Sequence, residues 1–259
     1  MTAVTPLTVK LGGVAGTSGA SLAVIAREAD ASCVVVHGGG PELADWQRRL
    51  GLEPQLSNGL RVTDPATLEV AVAVLAGLVN TRLVAAFAAA GRAAIGLTGA
   101  DACLLTLERA DASLGEVGLP VGADIAVLDV LTGAGLLPVV SSIGRDADGS
   151  LLNVNADAAA GAIAAARGGR LLLCSDVAGV MHNGNMVASL TAREAEAMVA
   201  AGVAQGGMVP KLEAAMVAAR AGCSVSILDG RAPETLAAAL AGEAVGTRIG
   251  ADVEAEVSA

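Results

Sequence analysis

Six short segments bring cations, carboxylates or free backbone amides to places where an anion could be held. Lys10-Leu11-Gly12-Gly13 directly follows an apolar run that reads as a strand. Glycines there let backbone N–H groups approach an anion closely, with Lys10 standing over the same spot as a point charge. Alone, a lysine ending a strand is more often a solvated residue. His37-Gly38-Gly39-Gly40-Pro41 follows a second apolar run and opens a helix. A tight strand-to-helix turn needs one glycine; three, with a helix-starting proline, favour an anion-binding loop at the positive end of the helix dipole. His37 reads as a hydrogen-bonded turn residue, not a catalyst.

Arg61 is an isolated arginine within Ser57-Asn58-Gly59-Leu60-Arg61-Val62-Thr63-Asp64. Its rigid fork suits a carboxylate, although a bare arginine is more often a surface ion-pairing residue. In Asn153-Val154-Asn155-Ala156-Asp157, Asn155 suits an N-cap and Asp157 falls in the first helical turn. Asp157 then either complements the helix dipole or faces the carboxyl end of the sheet and holds nearby lysines. Ser175-Asp176-Val177-Ala178-Gly179-Val180 ends another strand, and Gly206-Gly207-Met208-Val209-Pro210-Lys211 starts another helix. A lysine early in a helix opposes the dipole, and makes sense where an anionic ligand lies between the two.

Composition narrows the partners. The formal net charge of −10, from 26 acidic and 16 basic residues, argues against nucleic acid. With one Phe, one Trp and no Tyr, a bound base would rest on aliphatic side chains and backbone. No apolar run approaches the roughly 20 residues that span a bilayer, and residues 1–10 lack the pattern of a signal peptide; the expectation is a cytoplasmic protein with no membrane partner. Cys33, Cys103, Cys174 and Cys223 form no CxxC pair. They read as structural thiols, and with only His37 and His182 available no zinc site is expected. GxxxxGK[ST], GxGxxG after a strand, GxSxG, HRD and DFG are all missing, which removes the P-loop, dinucleotide, hydrolase and protein-kinase readings.

The elements that must position these residues alternate. Short continuous apolar runs at 7–10, 33–36, 93–97, 137–141, 171–175 and 225–228 read as strands covered on both faces. Helices are expected at 20–29, 41–50, 65–90, 124–134, 156–167, 192–201, 210–221 and 233–240, with a cap at Asp64-Pro65 and a capping box at Thr191 and Glu194. The fold class is therefore α/β, with a mainly parallel sheet. Residues 106–122 read as a hairpin or flap over the sheet edge. A division between two lobes that share the sheet is expected near Gly168-Gly169.

In this order the motifs resemble the amino acid kinase family, and within it the branch that phosphorylates N-acetyl-L-glutamate. Asn58-Gly59-Leu60-Arg61-Val62-Thr63-Asp64 and Asn153-Val154-Asn155-Ala156-Asp157 carry the branch; Pro138-Val139-Val140-Ser141-Ser142-Ile143-Gly144 and the glycine turns carry the wider family. The resemblance implies a three-layer αβα sandwich around an open, mainly parallel sheet, like that of carbamate kinase. Residues 1–169 would form an acceptor-binding and dimerising lobe, and residues 170–259 an ATP-binding lobe.

It further implies ATP-dependent phosphorylation of the γ-carboxylate of N-acetyl-L-glutamate, with Mg²⁺ riding on ATP and no protein metal site. Lys10 and Lys211 would stabilise the transferring phosphoryl group, with Asp157 organising both. Gly39, Gly40, Arg61 and Asn153 would hold the acceptor. ATP would meet Gly12, Gly13, Ser175, Asp176, Val177, Ala178, Gly179, Val180, Met181, Val203, Ala204 and Gln205. The missing N-terminal helix of hexameric relatives implies a homodimer insensitive to arginine. An aminoadipate-type kinase of lysine biosynthesis, or a non-catalytic nucleotide sensor on the same fold, are the competing readings.

Overall fold

The apolar runs become strands because β-branched and leucine side chains alternate between two cores. Val34 and Val36 pack into one hydrophobic cluster, and Cys33 and Val35 into the other. The computed structural model describes residues 5–12, 18–57 and 59–252, so Gly13 and Asn58 of the motifs above lie outside the described residues.

The chain begins with strand β1 (Leu7–Leu11), helix α1 (Gly19–Glu28), strand β2 (Cys33–His37) and helix α2 (Gly40–Arg49). A short hairpin, β3 (Leu56–Ser57) and β4 (Leu60–Arg61), leads into a continuous helical stretch made of α3 (Pro65–Ala71), a π-helical segment (Val72–Val79) and α4 (Asn80–Ala89). Then come β5 (Ala94–Thr98), β6 (Leu105–Arg109), β7 (Val117–Ala123), α5 (Ala126–Gly133), β8 (Leu137–Ser141), β9 (Ile143–Arg145) and β10 (Leu151–Val154). The remainder runs α6 (Ala156–Arg167), β11 (Arg170–Ser175), β12 (Met181–His182), β13 (Asn185–Met186), β14 (Ser189–Thr191), α7 (Ala192–Ala200), α8 (Met208–Arg220), β15 (Ser224–Asp229), α9 (Pro233–Leu240) and β16 (Thr247–Gly250).

The central sheet has eight strands in the order β14-β16-β15-β11-β1-β2-β8-β5. From β15 to β5 every neighbour is parallel, β16 runs antiparallel to β15, and the edge strand β14 pairs parallel to β16. The register aligns the carboxyl ends: Leu11 lies opposite His37 and Cys174, and His37 opposite Ser141. Loops leaving these ends gather on one rim, where ligands of open α/β sheets bind. The sheet and one core cluster run unbroken across the division expected near Gly168-Gly169, so both lobes share one scaffold.

Residues 105–123 form a hairpin as expected, but not a flap lying free on the sheet edge. Strands β6 and β7 close with β9 and β10 into a small barrel. Leu105, Leu107, Leu152 and Val154 are buried there in one cluster, and that apolar filling is what closes it.

The stretch Pro65–Ala89 is long and apolar enough to cross a bilayer, in contrast to the reading that no segment approaches that length. Its Leu75, Val79, Leu83 and Phe87 are buried in a core cluster with β2 and β8 residues, so one face of this helix packs on the core.

Candidate active site

A carboxylate stands at the centre of the rim with an ammonium on each side. Asp157 is the second residue of α6, and its Oδ1 lies 2.8 Å from Lys10 Nζ. Its Oδ2 accepts a hydrogen bond from Lys211 Nζ at 3.0 Å. Capping of α6 falls to Asn155, whose side-chain oxygen accepts from the Asp157 and Ala158 amides at 2.8 and 3.1 Å. Asp157 is thereby released from the capping role and turned to the lysines.

The small residues of α6 have a positional reason. A Cβ on Gly161 would stand 2.8 Å from the Ala214 carbonyl oxygen, so glycine lets α6 and α8 approach closely enough for Asp157 to meet Lys211. Of the chain's 16 Lys and Arg residues only Lys10 and Lys211 are lysines, and both converge on this one carboxylate. That scarcity was a compositional signal of the site.

Burial and charge compete here. Burial alone would raise the Asp157 carboxyl, but the two ammonium groups and their hydrogen bonds hold it below the ordinary carboxylate value. Lys10, 5% exposed, is pushed down from the usual lysine value by burial and by Lys211, against the pull of Asp157. The arrangement carries a net positive charge in a dry place, which suits an anion that brings several negative oxygens.

Beside it lies a cavity of about 270 Å³ lined by Lys10, Gly12, Gly38 to Gly40, Arg61, Asn153 and Asp157. Gly39 has φ 152°, and a Cβ on it would lie 2.8 Å from Leu75, so only glycine fits. Neither the Gly39 nor the Gly40 amide finds a protein acceptor among the described residues. Arg61 is anchored from behind: it donates to Gln47 Oε1 and, at 3.1 Å, to the Gly40 carbonyl. Among the described residues it forms no ion pair, so its charge is unmatched beside the cavity. Asn153 Nδ2 donates to Thr63 Oγ1 at 3.0 Å, tying β10 to the segment that follows Arg61.

The residues expected to meet a nucleotide are only partly gathered. Ser175 ends β11, Asp176, Val177 and Ala178 are exposed on the loop beyond it, Met181 is exposed at the start of β12, and Val203 and Gln205 are exposed before α8. Val180 and Ala204 pack into the core instead. The Val180 amide donates to Thr247 Oγ1 at 2.8 Å, and its carbonyl accepts from Val187 at 2.8 Å. Gly179 is buried against Thr247. A second cavity of about 410 Å³ is lined by Ala178 together with Met186, Asp229, Thr235, Gly246 and Arg248, and sequence reasoning singled out only Ala178 of these. His37 is not a turn residue: it closes strand β2, 1% exposed.

Residues 7–229 match the amino acid kinase family. The acetylglutamate kinase of Jannaschia sp. (strain CCS1) is 44% identical over 237 residues, 88% of this chain and 83% of that protein. The acetylglutamate kinase of Methanopyrus kandleri is 44% identical over 216 residues, 79% of this chain and 87% of that protein. Among solved structures, smu.665 of Streptococcus mutans UA159 superposes with a TM-score of 0.81 at 27% identity, covering 95% of this chain and 98% of that one. The carbamate kinase of Giardia lamblia, solved with citric acid, shares the fold at a TM-score of 0.66 and 17% identity, over 97% of this chain and 100% of that one.

Proposed function

Because the chain belongs to the amino acid kinase family, we propose that it transfers the γ-phosphoryl group of ATP to the γ-carboxylate of N-acetyl-L-glutamate. The product is N-acetyl-L-glutamyl 5-phosphate, the second step of arginine biosynthesis. The observation that carries this reading is the pair of lysines clamped by Asp157 at the mouth of a cavity that also holds Arg61 and two glycine amides with no acceptor among the described residues.

A carboxylate oxygen of the acceptor attacks the γ-phosphorus, and the bond to the β–γ bridging oxygen breaks to release ADP. The acceptor is already ionised at neutral pH, so no general base is needed. Catalysis then rests on positioning and charge neutralisation. Lys10 and Lys211 face the phosphoryl oxygens, and Asp157 holds both ammonium groups in place. Gly39 and Gly40 donate amides to the acceptor side, Arg61 takes its α-carboxylate and Asn153 the acyl end. Both Asp157 oxygens are engaged by lysines, and among the described residues no group of three His, Cys, Asp or Glu could hold a metal. Mg²⁺ would enter bound to ATP and neutralise phosphate charge there.

ATP lies over the residue 170–252 side, with Gly12, Ser175 to Met181 and Val203 to Gln205 at its border. The acceptor lies over the other lobe. We assign the protein to the cytoplasm, since Cys33, Cys103, Cys174 and Cys223 are all free thiols. We also infer a homodimer. Among the described residues strand β5 is an edge strand that pairs only with β8, and it carries an apolar sequence without charge or proline to protect it. Sedimentation at micromolar concentration is expected to show twice the chain mass; a monomer at every concentration would refute the pairing.

A hydroxylamine trap tests the reaction. With ATP and Mg²⁺ it should yield hydroxamate from N-acetyl-L-glutamate and far less from glutamate, aspartate or aminoadipate. Arg61→Ala should raise the KM for the acceptor about 10- to 100-fold with kcat little changed, the size of one charge-assisted contact. No hydroxamate from any acceptor would sink the reading.

A further inference from the structure

Asn80 takes no part in the site so far, yet it is buried and tied directly beneath the glycine loop. Its Nδ2 donates to the Val139 carbonyl at 2.8 Å and lies 3.0 Å from His37 Nε2, with the Leu97 carbonyl a longer third acceptor at 3.4 Å. A carbonyl only accepts, so this atom is the amide nitrogen, and His37 Nε2 must accept from it. The proton of the neutral imidazole is then on Nδ1, which donates to the Gly38 carbonyl at 2.7 Å. Burial drives the His37 pKa down to about 4, against the backbone hydrogen bond, so the ring stays neutral near pH 7.

The next step is peptide geometry. No peptide bond among the described residues is cis, and in a trans peptide the C=O and the following N–H point in opposite directions. Pulling the Gly38 carbonyl toward His37 turns the Gly39 N–H away from the sheet core, on the loop that lines the cavity. The π-helical segment Val72–Val79 ends directly before Asn80, and its Leu75 and Val79 press on Gly39 from the same helix. Helix, histidine and loop are thus one assembly.

We propose that Asn80 is a positioning residue, acting through the His37 tautomer to aim the Gly39 amide at the reacting groups. The inference rests on the phosphoryl-transfer reading above. Asn80→Ala is expected to lower kcat about 10- to 100-fold, part of the effect of losing one preorganised donor, while KM for ATP changes less than about threefold. His37→Phe should match it. His37→Asn, whose Nδ2 can overlay imidazole Nδ1 and donate to the Gly38 carbonyl, should recover most of the rate. A merely structural Asn80 would lower Tm but leave kcat per folded molecule unchanged, and His37→Asn would rescue nothing.

With only two histidines in the chain, the imidazole ¹⁵N spectrum reads the tautomer of His37 directly. Wild type should show Nδ1–H, and Asn80→Ala should shift the population toward Nε2–H, because only the Gly38 carbonyl then holds the Nδ1–H form. Wild-type protein that traps no acyl phosphate defeats the kinase reading, and the tautomer then decides the positioning on its own. Active wild type with an unaltered kcat or an unaltered tautomer in Asn80→Ala overturns this inference alone.

Discussion

Lys211→Ala is expected to lower kcat about 1,000-fold while the KM for each substrate moves less than about threefold. The reason is the timing of the charge. As the γ-phosphoryl group leaves ADP, negative charge spreads over oxygens that an ammonium beside them stabilises more in the transition state than in the ground state. Removing one such fixed donor costs roughly 10²- to 10³-fold in other enzymes. Lys211 is the better probe of the pair, because it is the more exposed, with 14% of its side chain accessible against 6% for Lys10. Lys10→Ala should show the same kinetic signature with an added loss of stability.

Lys211→Arg should not rescue. A guanidinium is larger and planar, and it spreads its charge where the site needs a compact one beside Asp157 Oδ2. The chain itself uses arginine at every basic position except these two. A loss of kcat/KM arising wholly through KM would overturn the transition-state role for the lysines.

The second large effect falls on Asp157. Asp157→Ala leaves two ammonium groups in one buried place with no counter-charge, and breaking a buried pair in this way costs about 3–5 kcal/mol. Denaturation in urea measures it. Asp157→Asn keeps the size but loses the charge, and should lower both stability and kcat.

The pH dependence follows from the depressed carboxyl. Its folded pKa lies below the ordinary value of 3.8, so in acid the unfolded chain binds the proton first and stability falls as pH drops. The stabilising contribution is complete above the ordinary carboxylate range and is lost as pH falls through the lowered value. The stability gap between wild type and Asp157→Asn should therefore be flat from pH 6 to 8 and shrink below about pH 4. A gap that persists unchanged into that acid range would refute the charge role of Asp157.

Much of this was legible in the sequence, and particular residues show why. Strand 137–141 and helix 156–167 were expected with the bounds the structure has, because apolar period and capping chemistry act within a few residues of themselves. Asn155 caps α6 and Thr191 with Glu194 forms a capping box, both as read. The small strands β9, β10, β12, β13 and β14 were not foreseen, since two to four residues carry too little period to read. Nor was β16, whose antiparallel pairing with β15 depends on a chain reversal far from any local signal. The side chains of Val180 and Ala204 pack into the core, which the sequence does not show because an apolar residue in a glycine-rich loop can face either the ligand or the core.

The sequence by itself determined the kinds of element, their order, the glycine turns at strand ends and the charged side chains available to a ligand. Only the tertiary structure decided that Asp157 would take Lys10 on one oxygen and Lys211 on the other, across 147 and 54 positions of chain (157 − 10 and 211 − 157). It also decided that Asn80 would reach back to His37. The physical reason is common to both. Capping, period and turn chemistry are settled by neighbours along the chain. Which carboxylate meets which ammonium is settled by parallel register and by the close approach of α6 and α8, which form only when the whole sheet does.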